Sequence, residues 1–328
     1  MKLSIIIINF NTRALLQACL QSVFEQTKSF DFEVIVVDNG SSDDSREMLA
    51  QHFPQVRTIF NIDNLGFAAA NNQGIQQAQG EFVLLLNSDT EILDRAIDKT
   101  VAFLDTHPHI GIAGCKLLNS DGSLQPSCEH FPKPRDYFFE SLYLDRLFPK
   151  NKFIGHFHLT WFDYSRTIQV DQVMGAFLLI RRSVIEQIGL MDESFFFYAE
   201  ESDWCWRAKQ AGWQVCFFHD AQVIHHCGSS ADAISAKMLV QLHESRNRFY
   251  RKHHRPGTAS LARLFMMIGA FIRFFLWGFL AIFYTLSFQK NARAAAKKCR
   301  SFAVVVSWYV GLVKSEGQKR LRRISKNQ

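Results

Sequence analysis

The sequence predicts an α/β fold: a mostly parallel central sheet with helices on both faces, followed by a helical region that is apolar and basic. Three observations carry this. Up to Lys116, short branched apolar runs alternate with segments of helical period, the pattern of successive strand–helix units. The runs end in polar clusters such as Asn9-Phe10-Asn11, Asp38-Asn39-Gly40 and Asn87-Ser88-Asp89. From Leu264 onward the chain is first nearly all apolar and then strongly basic.

Leu3–Ile8 is a continuous branched run, the mark of a strand buried on both faces. Thr12 is positioned to cap a helix through Gln26, with Leu16, Cys19, Leu20 and Val23 on one face. Phe32–Val37 is a second buried strand. A short helix, a strand near Val56–Phe60 and a helix over Phe67–Ala78 follow. Phe82–Leu86 is the next strand, then a helix over Ala96–Thr106 and a strand near Ile110–Lys116. Asn119 to Val170 is less regular, with turn signals at Asn119-Ser120-Asp121-Gly122 and Pro132-Lys133-Pro134, and reads as an excursion that could shape an acceptor site. Val173–Ile180 is a strand. Glu200–Ala211 is a helix closed by Gly212, and Trp213–Phe218 a further strand. A charged helix spans about Ile234–His253, and Pro256-Gly257 marks a boundary between a catalytic domain (1–256) and a helical membrane-associating region (257–328).

The chain has 328 residues, room for one large domain plus an appendage. Hydrophobic residues make up 48% and charged residues 21%, ordinary for a packed core. Seven cysteines are dispersed without CxxC spacing, which argues against a zinc knuckle and reads as free thiols in a reducing compartment. The N-terminal apolar run ends at Asn9, too short for a signal peptide. The net charge of +6 is uneven, because Glu316 is the only acid from Lys290 onward. Such a tail meets phosphates. With an apolar stretch before it, the expected partner is a membrane surface and not nucleic acid. Leu264–Phe288 is long enough to span a bilayer, but Arg273 in its middle would cost ~3 kcal/mol there. Helices in the membrane interface are the favoured reading, and a buried pair in a soluble protein is the other.

Four places carry candidate chemistry. Asp38, held after a buried strand, can accept the N3–H of uracil or thymine, which cytosine lacks; an Asx turn or helix cap among Ser41, Ser42 and Asp43 explains it equally well. Asp89 ends the Asn87-Ser88-Asp89 cluster and offers the hard oxygen that a diphosphate-bridging cation needs, although capping the next helix is the commoner role. Glu200, Glu201 and Asp203 crowd a helix start beside Phe195-Phe196-Phe197-Tyr198. Asp203 can pair with Arg207 four residues on, whereas an acid against an aromatic wall is a candidate general base. His225 could complete a metal site with Asp89, or be an ordinary core histidine. No GxGxxG follows the first strand, which argues against a dinucleotide-binding dehydrogenase.

The order of these motifs resembles the family 2 glycosyltransferases, in particular their bacterial rhamnosyltransferase-like branch. The matching stretches are Ser4–Asn11, Val36–Ser42, Asn64–Asn72, Leu84–Thr90, Gly175–Phe177, Gly189–Glu193, the acidic helix start, and His225-His226 followed by Ser229-Ser230. The resemblance implies a GT-A fold. It implies that Asn9, Phe10 and Asp38 contact the nucleotide, and that Asn64, Gly66, Asn71 and Asn72 line the donor pocket. It implies that Asp89 is the last residue of the DxD element and binds Mg²⁺ or Mn²⁺, with Asn87 and Ser88 before it on the donor. The family's base position falls on Glu201, with Glu200 and Asp203 as neighbouring candidates.

The expected reaction is a single inverting transfer from a nucleotide sugar, dTDP-L-rhamnose first and UDP-hexoses next, to a lipid-linked or cell-surface glycan precursor. The expected location is the cytoplasmic face of the inner membrane, peripheral or shallowly inserted. A nucleotidyltransferase would want a glycine-rich phosphate loop, and Asn9–Arg13 has no glycine. A catalytically dead sugar-binding module would have no need of Asp89, Glu201 and His225.

Overall fold

The computed structural model describes residues 1–226, 235–287 and 290–312. Ser229, Ser230, Cys227 and the basic residues from Lys314 onward lie outside the described residues. In chain order the elements are β1 (Leu3–Asn9), α1 (Arg13–Gln26), β2 (Phe32–Asp38), α2 (Ser45–His52), β3 (Arg57–Phe60), α3 (Phe67–Gln77), β4 (Phe82–Asn87) and β5 (Thr90–Leu93). Next come α4 (Ala96–Thr106), β6 (Ile110–Leu118), β7 (Leu124–Gln125), β8 (Cys128–Glu129), α5 (Pro134–Ser141), α6 (Leu144–Leu147), β9 (Ile168–Val170), β10 (Gln172–Val173) and β11 (Phe177–Arg181). The chain continues with α7 (Arg182–Ile188), α8 (Glu200–Gln210), β12 (Gln214–His225), α9 (Ala236–His253), α10 (Pro256–Leu286) and α11 (Ala292–Tyr309). Contacts divide the chain into two compact units. The first comprises Met1–Phe131, Phe162–Glu193 and Glu200–Ser229; the second comprises Pro132–Trp161, Ser194–Ala199 and Ser230–Gln328.

The first unit is built on a sheet in the order β3-β2-β1-β4-β11-β6-β12-β5, with β7 beside β6 and β9 beside β12. The pairs β1–β2, β1–β4, β2–β3 and β6–β12 are parallel. Ile5, Ile6 and Ile7 are completely buried, as a strand covered on both faces requires. Helix α3 lies close on β1: a Cβ at Gly74 would come within 2.6 Å of Ile6 Cγ2, so a larger residue would push the helix off the sheet. On α1, Leu16, Cys19, Leu20 and Val23 are the buried face.

Several elements differ from the sequence reading, each for a local reason. The run Val173–Ile180 is two strands, because Met174-Gly175-Ala176 interrupt it; β10 pairs with β8 in a separate ribbon while β11 enters the main sheet antiparallel to β4. The strand expected over Trp213–Phe218 continues to His225 as β12, whose register shifts between Phe218 and Gln222. Thr12 precedes α1 but its side chain makes no cap bond. The four-residue strand β5 went unread because it begins three residues after β4 ends, inside the polar cluster.

In the second unit α10 packs against α5, α9 and α11. Ala259, Ala262, Met266, Gly269 and Ala270 form its buried face. Arg273, the residue that argued against a membrane span, faces protein: its Nη2 donates to the Glu140 carbonyl at 2.6 Å and lies 3.9 Å from the Glu140 carboxylate. The Phe275, Phe279, Ile282, Phe283 and Leu286 side chains stay exposed, a stripe at helical spacing. Only 17% of the helix's most apolar window is buried, so α10 is unlike a core helix of a soluble bundle.

Candidate active site

Parallel register brings the first group of site residues together. Asn9 lies opposite Asp38, and Ile8 opposite Asn87. Three adjacent strands therefore deliver polar residues to the carboxyl edge of the sheet, where open α/β folds bind ligands. Asp38 is fully buried. Its Oδ2 accepts from Asn9 Nδ2 at 2.9 Å, and its Oδ1 accepts from the Ser41 N–H at 3.1 Å and from Arg46 Nε at 3.3 Å. The Thr12 hydroxyl donates to Asn9 Oδ1 at 2.7 Å, which uses its one proton; Ser88 Oγ, 2.8 Å away, must then donate to Thr12. One directed chain thus joins Ser88, Thr12, Asn9 and Asp38. Thr12, read from sequence as a cap, is the link in this chain. Phe10 projects beside it, 46% exposed.

The Asn64–Asn72 group divides by role. Asn64 Oδ1 accepts from Asn39 Nδ2 at 3.0 Å and from the Gly66 N–H at 2.9 Å, fixing the turn before α3 at Gly66, whose φ of +84° favours glycine. Asn71 Nδ2 donates to the Phe67 carbonyl, while its buried Oδ1 has no hydrogen-bond partner among the described residues. Asn72 is committed at both ends: Nδ2 donates to the Met191 carbonyl and to Glu193 Oε1, and Oδ1 accepts from the Met191 N–H. It clips α3 to the segment after α7.

The antiparallel pairing of β5 with β12 sets Thr90 opposite His225 and so brings His225 to Asp89. His225 Nε2 lies 3.3 Å from Asp89 Oδ1 and 3.2 Å from Asn87 Nδ2. The next histidine, His226, ties the same corner together: its N–H donates to the Asp89 carbonyl at 2.8 Å and its ring pairs with Glu91 at 2.7 Å. No group of three or more His, Cys, Asp or Glu side chains among the described residues is arranged for a metal ion. The Asp89–His225 pair could offer such an ion one hard oxygen and one imidazole nitrogen. That donor set fits Mg²⁺ or Mn²⁺ completed by phosphate oxygens and water.

Helix α8 separates the three acids. Asp203 is fully buried and accepts from Arg207 Nε at 2.9 Å, and Arg207 also donates to the Ile188 and Leu190 carbonyls. Trp204 Nε1 donates to the Gly189 carbonyl at 2.9 Å. This side of α8 is an anchor. Glu200 is buried. Glu201 Oε2 is shielded from solvent, with no hydrogen-bond donor among the described residues. Burial, with a smaller push from the Glu129 carboxylate, raises its pKa to about 7. Phe195–Tyr198, the expected aromatic wall, belong to the second unit. A surface groove of about 790 Å³ lined by Lys99, Phe103, Phe218 and His219 shares no residue with this site.

Residues 4–189 match the profile of the family described as Glycosyl transferase family 2. The chain belongs to that family. This glycosyltransferase is 29% identical to an N-acetylglucosaminyl-diphospho-decaprenol L-rhamnosyltransferase of Mycobacterium tuberculosis, over 67% of this chain and 75% of the relative. It is 28% identical to the low-salt glycan biosynthesis hexosyltransferase Agl10 of Haloferax volcanii, over 75% of this chain and 74% of that one. Among solved structures, the mannosyltransferase PcManGT from Pyrobaculum calidifontis, in complex with GDP-Man and Mn²⁺, superposes with a TM-score of 0.55 at 16% identity, covering 95% of this chain and 88% of that one. The glycosyltransferase therefore has the GT-A fold. Sequence reading missed Arg46 and the linking role of Thr12, and it read Asn119–Gly122 as a turn without tying it to His225.

Proposed function

We propose that this glycosyltransferase carries out a metal-assisted, inverting transfer from a nucleotide sugar to a hydroxyl of a lipid-linked or cell-surface glycan precursor, at the cytoplasmic face of the inner membrane. The observation that carries it is the meeting of Asp89 and His225 at the sheet edge that also holds Asn9, Asp38 and Asn87. dTDP-L-rhamnose is the first donor to test and a UDP-hexose the second. The similarity to a rhamnosyltransferase that acts on a polyprenol-linked sugar favours this donor and acceptor class.

Asn9, Phe10 and Asp38 are assigned to the nucleotide end, Asn64, Gly66, Asn71 and Asn72 to the donor pocket, and Asn87 and Ser88 to the donor beside Asp89. Asn71 Oδ1, a buried acceptor with no donor among the described residues, suits a sugar hydroxyl. A bound Mg²⁺ or Mn²⁺ would offset the charge that builds on the departing diphosphate. Glu201 is the base. With a pKa near neutrality it is substantially ionised at working pH, yet basic enough to take a proton. As the acceptor oxygen bonds to the anomeric carbon, the bond from that carbon to the phosphate oxygen breaks. Its electron pair leaves on the nucleoside diphosphate, and the acceptor proton passes to Glu201. Asp203 is held by Arg207 and orients the helix; Glu200 is its buried neighbour.

The exposed apolar stripe of α10 supports membrane contact, with the exposed Arg293 and Arg300 of α11 placed to meet anionic lipid headgroups. The deciding experiment incubates purified protein with Mn²⁺ or Mg²⁺ and a panel of nucleotide sugars, scoring donor hydrolysis and transfer. Turnover of no donor in the panel would sink the proposal.

A further inference from the structure

The turn after β6 does more than reverse the chain. We propose that the Asn119–Gln125 segment holds the hydrogen of His225 on Nδ1, so that the neutral ring presents a lone pair, and not an N–H, toward Asp89. This rests on the Asp89–His225 reading above and makes Gln125 and Asn119 positioning residues for that site.

The argument starts at Asp121, whose ionised carboxylate can only accept. It accepts a hydrogen bond from the Ser123 hydroxyl at 2.6 Å. With that proton committed, Ser123 Oγ must accept from Asn119 Nδ2, 2.9 Å away. The Asn119 amide is thereby oriented, and its Oδ1 accepts from Gln125 Nε2 at 2.9 Å. Gln125 is oriented in turn, and its Oε1 faces His225 Nδ1 at 2.7 Å. An amide oxygen has no proton to give, so Nδ1 carries the hydrogen. In the neutral ring Nε2 is then the lone pair. Asn87 Nδ2, at 3.2 Å, is a donor and satisfies it; Asp89 Oδ1, at 3.3 Å, is another acceptor. Two lone pairs facing each other repel, and a divalent cation between them turns that repulsion into coordination. The opposite tautomer would fill the same space with an N–H.

Backbone geometry makes the chain of bonds possible. β6 runs between β7 and β12, with Leu117 paired to Gln125 on one side and to Val223 on the other. The turn closes tightly: Gly122 N–H donates to the Asn119 carbonyl at 2.9 Å and Asn119 N–H to the Ser123 carbonyl at 2.8 Å, with Gly122 at φ +80°. Outer partners of this kind hold metal-binding imidazoles in one tautomer and orientation.

The test uses the full-length protein and two readouts. Long-range ¹H–¹⁵N spectra of the metal-free protein, at mildly alkaline pH and with His225 assigned by its loss in His225→Gln, should show the hydrogen on Nδ1. Mn²⁺ binding, followed by the EPR signal of the free ion, should weaken by about 10–100-fold in Gln125→Leu. Gln125→Glu, which keeps an acceptor facing Nδ1, should retain both the tautomer and the affinity and so separates positioning from folding. A wild-type ring protonated on Nε2, or wild-type Mn²⁺ affinity in Gln125→Leu, overturns the proposal. If no protein binds Mn²⁺ while the ring is still protonated on Nδ1, the metal reading fails and the pinned tautomer stands.

Discussion

His225 Nε2 approaches Asp89 Oδ1 to 3.3 Å across the β5–β12 pairing, although 136 positions separate the two residues in sequence. Removing either partner leaves the other facing a half-built site. EDTA should abolish transfer, and Asp89→Ala should lower turnover by about 10²–10³-fold, the usual worth of a group that stabilises transition-state charge. Readdition of Mn²⁺ should restore wild type but not the variant. Full activity in EDTA would count against any metal role.

Asp38 should discriminate nucleobases. Asp38→Ala is expected to weaken UDP and dTDP binding more than CDP binding, measured by calorimetry, because cytosine lacks an N3–H. The same change removes one of the two acceptors of Asn9 Nδ2 and the acceptor of the Ser41 N–H, so a stability loss of about 1–3 kcal/mol should accompany it. Equal weakening for all three nucleotides would make Asp38 purely structural.

Glu201 yields a prediction in two parts. Glu201→Gln should cut transfer by about 10²–10⁴-fold while donor binding hardly changes, and the wild-type rate should rise with pH through about 7 as the carboxyl ionises. The stability effect has the opposite sense. A carboxyl whose folded pKa is raised contributes stability below its unfolded pKa and loses it as pH rises toward 7. Above neutrality Glu201→Gln should therefore be more stable than wild type, by on the order of 1–3 kcal/mol, in urea titrations. A dead Asp203→Asn beside an active Glu201→Gln would move the base to Asp203.

The α10 stripe should control membrane binding. Replacing Phe275, Phe279 and Phe283 by Ser should leave the far-ultraviolet circular dichroism unchanged. It should also reduce co-sedimentation with anionic vesicles by ~10-fold or more, given about 1.5–3 kcal/mol per buried aromatic. Added salt should weaken what remains, since the basic contribution is screened. Unchanged sedimentation of the triple variant would show that the stripe does not meet lipid.

The strands β1, β2 and β4 were legible because each is an apolar run largely buried on both faces, from Leu3–Ile8 to Phe82–Leu86. The candidate residues at those strand ends were legible for the same reason: Asn9, Asp38 and Asn87 follow such runs directly. Asp89 with His225 was readable only through motif order, because their meeting depends on the short strand β5, whose Thr90–Leu93 has no pattern of its own. Thr12 was read as a cap since a hydroxyl before a helix ordinarily turns to the helix; here Asn9 and Ser88 compete for it. The links from Asp121 to Gln125 were invisible, because side-chain amide orientation follows from partners and not from sequence spacing.

The β5–β12 pairing also imposes an order in time. On a ribosome adding about 5–20 residues per second, Asp89 emerges some 7–27 s before His225. During that interval β1, β2 and β4 can already pair, while β5 waits with an open edge. A nascent chain can thus own the formed Asn9–Asp38 corner without the imidazole that meets Asp89. If Asp89 and His225 hold the metal as proposed above, donor breakdown waits until β12 has been made and has docked.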